Sequence, residues 1–76
     1  MTKLHTRVRH RLGRARVQVL TDTGHEVGWF VPATGRYRLH DDALRRPFWK
    51  SALARSDMLY AFGQIGEPTL PDDPFG

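Results

Sequence analysis

Residues 6–19 read TRVRHRLGRARVQV, and this stretch decides the fold. Its first half alternates between two sets of side chains, which is the period of a β-strand. The two sets are Thr6, Val8, His10 and Leu12 on one face and Arg7, Arg9 and Arg11 on the other. A glycine at the first position of a two-residue loop favours a type II′ turn, so we expect a hairpin that turns at Gly13-Arg14.

This turn sets the expected pairing of the two strands. On the apolar face the pairs are Leu12 with Ala15, His10 with Val17 and Val8 with Val19. On the opposite face they are Arg11 with Arg16 and Arg9 with Gln18. Like charges that lie directly opposite each other destabilise a sheet, so the pattern indicates a partner that neutralises them.

Two further turn clusters, 21–25 and 32–35, separate two more strands, 26–31 and 36–39. The expected pairs are Val19 with Gly28, Val17 with Phe30, Phe30 with Tyr37, Gly28 with Leu39, Trp29 with Arg38 and Val31 with Arg36. The sequence thus predicts a four-stranded antiparallel meander, either open or curled toward a small barrel. Its apolar face would contain Val8, Leu12, Ala15, Val17, Val19, Phe30, Tyr37 and Leu39, whereas Leu20 and Val27 would share the basic face.

One helical segment is expected to cover the apolar face, which makes the fold class α+β. Asp41 or Asp42 is a suitable N-cap, Pro47 suits the first helical position, and Gly63 is a plausible stop. Apolar or small residues recur at helical spacing, namely Phe48, Ala52, Leu53, Ser56, Leu59 and Tyr60. Phe48 and Trp49 are adjacent, so we expect one in the core and the other at its edge or at a dimer contact.

Length and composition limit the remaining alternatives. The chain has 76 residues, which we divide into a single small domain, 1–66, and an acidic, proline-rich tail, 67–76. The tail would be ordered only if Leu70 or Phe75 docks, and it is either solvated or folded back over the basic face. So short a chain buries a modest core, which leaves a homodimer as an alternative. The absence of cysteine favours the cytoplasm, and no apolar run reaches a membrane span of about 18 residues.

The basic face is the candidate binding site. Its residues are Arg7, Arg9, Arg11, Arg14, Arg16, Trp29, Arg36 and Arg38. Arginine suits bidentate contacts with phosphates and carboxylates, and an aromatic ring among arginines can stack on a base or a cation. The expected partner is nucleic acid, DNA or RNA, or an acidic protein surface; the alternative is a polar face that is merely solvated.

We predict no catalytic residue, metal or cofactor. His5, His10, His25 and His40 lack the i, i+4 spacing of a helical metal site. His10 is expected in the core, and His40 and Asp41 are expected to serve helix capping. The favoured function is a small non-enzymatic nucleic-acid-binding protein. The alternative is a small phage-type inhibitor that binds and blocks a host nucleic-acid enzyme, and a small ribonuclease toxin ranks last.

Overall fold

The computed structural model describes residues 3–72 and 74 of the chain. Four strands come first, β1 (Leu4–Arg11), β2 (Arg14–Thr21), β3 (Glu26–Val31) and β4 (Arg36–Leu39). A short 3-10 turn (Asp42–Leu44) then leads into one helix, α1 (Arg45–Ala61). The strands form one antiparallel sheet in the order β1-β2-β3-β4, and α1 packs against it. The predicted α+β meander is confirmed, as an open sheet.

The pairing of β1 with β2 differs from the predicted register by two residues. Arg11 pairs with Arg14, so the turn is formed by Leu12 and Gly13, which have φ values of 52° and 76°. Two positive φ values define a type I′ turn, whose twist matches that of the strands it joins. Leu12 is therefore 93% exposed instead of buried, and His10 lies opposite Ala15 and is exposed. The predictions that placed Leu12 and His10 in the core were wrong.

The two faces predicted for the first hairpin are correct although the register is not. A shift by an even number of residues keeps every side chain on its own side, because the period of a strand is two. Val8 consequently packs beside Val17 instead of Val19, while the arginines remain on the other side. We call the side that carries the arginines the outer face and the side that α1 covers the inner face.

The register of β2, β3 and β4 is as predicted, except at one point. Val17 pairs with Phe30 and Trp29 pairs with Arg38, as expected. Beyond Val19, however, the pairing shifts so that Leu20 lies opposite Glu26, and Val27 is the extra residue of a β-bulge. The bulge turns Val27 into the core, where it is 3% exposed, which corrects its predicted place on the basic face.

The core lies between the inner face and α1. Phe48 and Trp49 are both fully buried, so the prediction that one of them lies at the edge was wrong. The Trp49 ring makes edge-on contacts with three other aromatic rings, whose centres lie 4.9 to 5.3 Å away. Such pairs stabilise a core by about 0.5–1.5 kcal/mol each beyond the burial of their area. The buried cluster comprises Val19, Val27, Phe30, Phe48, Trp49 and Ala52.

The ends of the helical segment follow from its capping residues. The Asp41 carboxylate accepts a hydrogen bond of 3.0 Å from the Ala43 backbone N–H, which confirms the predicted cap. Pro47 is the third residue of α1 and not its first. Proline is still tolerated at this position, because the backbone N–H groups of the first turn have no carbonyl acceptor within the helix. Gly63, with φ of 72°, ends the helix as predicted, and the Gln64 N–H bonds the Leu59 carbonyl at 2.9 Å.

The described part of the C-terminal tail is held by its backbone. The Thr69 N–H donates a 2.8 Å hydrogen bond to the carbonyl of Pro32, in the turn between β3 and β4. Leu70, one of the two expected anchors, is 53% exposed, and Phe75 lies outside the described residues. Within residues 3–72 and 74, no helix is long and apolar enough to cross a membrane.

Candidate functional site

The observed register concentrates like charges on the outer face. Arg9 lies opposite Arg16, and Arg11 lies opposite Arg14. Directly opposed side chains have Cβ atoms about 4.5–5.5 Å apart, so each pair brings two positive charges close together. The sequence had predicted one such pair, and the structure contains two. The sheet thus holds its arginines in positions that an anion would stabilise.

The arginines at one end of the sheet surround a groove. The turn between β1 and β2 and the turn between β3 and β4 both lie at this end, because the strands run antiparallel. The groove has a volume of about 530 Å³. We call it the basic groove; it is lined by Arg11, Leu12, Arg14, Ala15, Arg16, Trp29, Val31, Thr34 and Arg36. Four arginines and no acid are among these lining residues, so we expect a positive potential in the groove.

Trp29 forms the aromatic wall of the basic groove and is stacked against a charge from its own chain. The Cζ atom of Arg16 lies 4.2 Å from the centre of the Trp29 ring. At this distance the guanidinium and the ring make a cation–π contact. Both side chains are half-buried, whereas Arg11, Arg14 and Arg36 are exposed. The groove therefore combines three exposed arginines with a ring that one more arginine partly covers.

The eight residues predicted for the site share the outer face, but they do not form one cluster. Arg11, Arg14, Arg16, Trp29 and Arg36 line the basic groove. Arg7, Arg9 and Arg38 lie outside it, opposite Gln18, Arg16 and Trp29 respectively. The groove also includes Val31 and Thr34, which the prediction omitted because neither is charged or aromatic.

An acidic residue lies farther along the outer face, and the sequence did not place it there. The bulge at Val27 brings Glu26 beside Gln18, whose Nε2 atom donates a 2.8 Å hydrogen bond to its carboxylate. The His40 Nε2 atom lies 2.9 Å from the other carboxylate oxygen. Burial raises the pKa of Glu26, but the bonds from His40 and Gln18 and the charges of His40 and Arg16 outweigh it, so this pKa lies below its ordinary value.

Two histidines make side-chain contacts within the described residues. The Nδ1 atom of His25 lies 3.3 Å from the Thr23 hydroxyl within one turn, and His40 pairs with Glu26. Among residues 3–72 and 74, no three histidine or acidic side chains come together as a metal site. The arginines of the outer face are suited to the binding of anions.

The tail contacts the turn beside the basic groove. Thr69 packs against Gly35, where an added Cβ would lie 3.0 Å from the Thr69 carbonyl oxygen. Gly35 follows Thr34, a lining residue of the groove, but none of residues 67–72 or 74 lines the groove itself. Masking of the outer face by the tail stays a prediction.

Comparison of the chain with protein-family models, with curated proteins and with solved structures finds no match. A function for this chain therefore rests on the geometry and charge of its own residues. The basic groove is the feature of the described residues in which charge, shape and an aromatic ring coincide.

Proposed function

We propose that this chain is a small non-enzymatic protein that binds nucleic acid through its outer face. The observation that supports this most strongly is the basic groove, which is lined by four arginines and Trp29. Guanidinium groups make bidentate, charge-assisted hydrogen bonds with phosphate oxygens, and an aromatic ring can stack on a base. Nucleic acid offers both kinds of group at the spacing of one nucleotide.

The energetics of the sheet support an anionic ligand as well. Opposed like charges cost a sheet on the order of 0.2–1 kcal/mol per pair, and the outer face contains the pairs Arg9–Arg16 and Arg11–Arg14. A phosphate between two arginines removes this repulsion and replaces it with attraction. The bound state is therefore favoured both by the new contacts and by the loss of charge repulsion between the opposed arginines.

Contacts with phosphates confer affinity without selecting a sequence. We therefore expect binding that is weakly dependent on sequence and strongly dependent on salt. Each neutralised phosphate releases counterions and adds a slope of about −0.7 to −0.9 to a plot of log affinity against log salt.

The experiment is a titration of mixed oligonucleotides at several salt concentrations. Arg11→Ala, which removes one lining residue of the basic groove, should flatten the slope by about one unit. Lys50→Ala is the matched control, because it removes one positive charge from the exposed side of α1. The control should leave the slope unchanged. Absence of binding to every oligonucleotide at low salt would rule out this function.

A second candidate is a small phage-type inhibitor that blocks a host nucleic-acid enzyme by protein–protein contact. The observation that favours it is the exposed apolar surface at the C-terminal end of α1, where Met58 and Tyr60 are each 49% exposed and Phe62 is 74% exposed. Large exposed apolar side chains of this kind serve as anchors in protein interfaces. If this candidate is correct, Phe62→Ala should raise the dissociation rate from the protein partner, with a mild dependence on salt.

A further inference from the structure

The contact between Arg16 and Trp29 occupies the place that a base would need. The guanidinium lies over the ring at 4.2 Å, and the ring forms a wall of the basic groove. A planar ligand can reach this side of the ring only after the guanidinium moves away. Among residues 3–72 and 74, no carboxylate lies within ion-pair distance of Arg16, and the Glu26 carboxylate is bonded by Gln18 and His40. Movement of the guanidinium off the ring therefore breaks the cation–π contact but no ion pair of the described residues.

We infer that the basic groove accepts one unpaired base of a single-stranded nucleic acid, which stacks on Trp29 in the place of the Arg16 guanidinium. This inference rests on the proposed function and names the form of nucleic acid that the site selects. The flanking phosphates of the strand then lie among the exposed arginines of the groove, which are Arg11, Arg14 and Arg36.

The relative strengths of the two contacts favour this exchange. Stacking of a base on an aromatic side chain strengthens binding by about 5- to 150-fold per base. A cation–π contact is worth a factor of about 2 to 5 at an exposed site and about 30 when it is desolvated, and the half-buried contact of Arg16 with Trp29 lies between these limits. A strong base stack is therefore sufficient to displace the guanidinium. In a duplex both sides of each base are covered by its neighbours, so a duplex offers phosphates to the groove but no free base for Trp29.

The size of the basic groove agrees with one nucleotide. Its volume of about 530 Å³ falls within the range of about 300–1,000 Å³ that is typical of sites for small organic ligands. The sheet outside the groove adds Arg7, Arg9 and Arg38, which can follow the phosphates of the same strand. The groove thus supplies the preference for a free base, and the wider outer face supplies affinity.

The test compares two strands of equal length and equal phosphate number, oligo(dT) and an abasic deoxyribose-phosphate strand. The quantity measured is the ratio of their affinities, because general charge effects cancel in it. The wild-type protein should bind oligo(dT) about 5- to 150-fold more tightly than the abasic strand. Trp29→Leu should reduce the ratio to about one, and Trp29→Phe, which retains a ring, should keep part of it.

The exchange itself is tested with Arg16→Ala. This variant loses one charge and binds both strands more weakly, but its affinity ratio should exceed that of the wild type, because no guanidinium has to be displaced. Arg7→Ala is the matched control, since Arg7 lies on the same face outside the basic groove and its loss should leave the ratio unchanged. Circular dichroism melting of each variant verifies that it is folded.

The outcomes are distinct. Equal affinity of the wild-type protein for the two strands would overturn the inference while leaving the proposed function intact. A ratio that is unchanged or falls in Arg16→Ala would overturn the displacement, because it would mean that the guanidinium does not compete with the base for the ring. Failure of the wild-type protein to bind either strand at low salt would contradict the proposed function as well.

Discussion

The two faces of the sheet differ in how far the rest of the chain covers them. On the inner face Val17 and Phe30 are fully buried, because α1 covers them. On the outer face, within the described residues, Arg11, Arg14 and Arg36 of the basic groove are exposed. The arginines of this face form two opposed pairs, Arg9–Arg16 and Arg11–Arg14. The inner face is thus covered by the chain itself, whereas the outer-face arginines other than Arg16 are exposed. Stability and the proposed binding would therefore depend on different residues, even where those residues are neighbours in sequence.

The largest effect is expected from neighbouring residues on opposite faces. Phe30→Ala removes a fully buried ring that contacts Trp49, so it should lower the free energy of unfolding by about 3–5 kcal/mol. Trp29→Leu loses a cation–π contact on the outer face and should cost about 1 kcal/mol or less. Urea unfolding of the two variants measures the difference. Equal losses would contradict the separation of the two faces.

A substitution at Gly28 should break the packing of the inner face from within the sheet. A Cβ at this position would lie 2.2 Å from the Arg38 carbonyl oxygen and 2.9 Å from Cε2 of Phe48. Because the carbonyl belongs to a paired strand, Gly28→Ala should lower the free energy of unfolding by about 1–3 kcal/mol. Gly66→Ala is the control, since no atom lies within 4 Å of its added Cβ. A normal melting temperature for Gly28→Ala would show that the backbone of β4 shifts at little cost in free energy.

On the outer face, loss of an arginine should have opposite effects on stability and on binding. Arg14→Gln removes the charge opposite Arg11, so it should raise the free energy of unfolding by about 0.2–1 kcal/mol at low salt. The same variant should bind oligonucleotides more weakly. Arg38→Gln is the control, because Arg38 lies opposite Trp29 and not opposite another arginine. A stability gain that persists at high salt would show that charge repulsion is not its cause.

The smallest expected effect concerns Glu26, which pairs with His40 on the outer face. The folded protein holds the pKa of Glu26 below its ordinary value of 4.5, because hydrogen bonds from His40 and Gln18 favour the charged carboxylate over the opposing effect of burial. A lowered pKa in the folded state adds stability above the unfolded value, and this stability is lost as the pH falls from about 4.5 through the folded pKa. The stability difference between wild type and Glu26→Gln, measured by urea unfolding, should therefore shrink at acidic pH. A constant difference across this window would contradict the assignment.

Much of the fold could be predicted because its signals are local. The alternation in residues 6–12 assigns side chains to two faces, and Gly35 and Gly63, both with positive φ, mark a turn and a helix end. The predicted register of β1 and β2 differs from the observed one by two residues. The reason is that Leu12 adopts a positive φ, which is rare for a residue with a side chain. The bulge at Val27 was not predicted, since an apolar residue next to Gly28 is equally consistent with a regular strand and with a bulge.

The candidate site was predictable in composition but not in arrangement. The sequence identified the arginines and Trp29 as sharing a face, since the period of a strand is two and every even shift preserves that sorting. It could not reveal that five of these residues surround one groove, or that Arg16 stacks on Trp29. The stacked pair joins different strands, and its geometry depends on the twist of the sheet.

The sequence by itself determined the α+β meander, the two faces of its first hairpin and the C-terminal end of the helix, because these follow from the period of the strands and from a glycine close in the chain. Only the tertiary structure decided which arginines oppose each other, which side of the sheet Val27 and Glu26 occupy, and that both Phe48 and Trp49 are buried. These features depend on the conformation of a two-residue turn and on the packing of α1 against distant strands. The stability of these features depends on contacts between segments that are distant in the sequence.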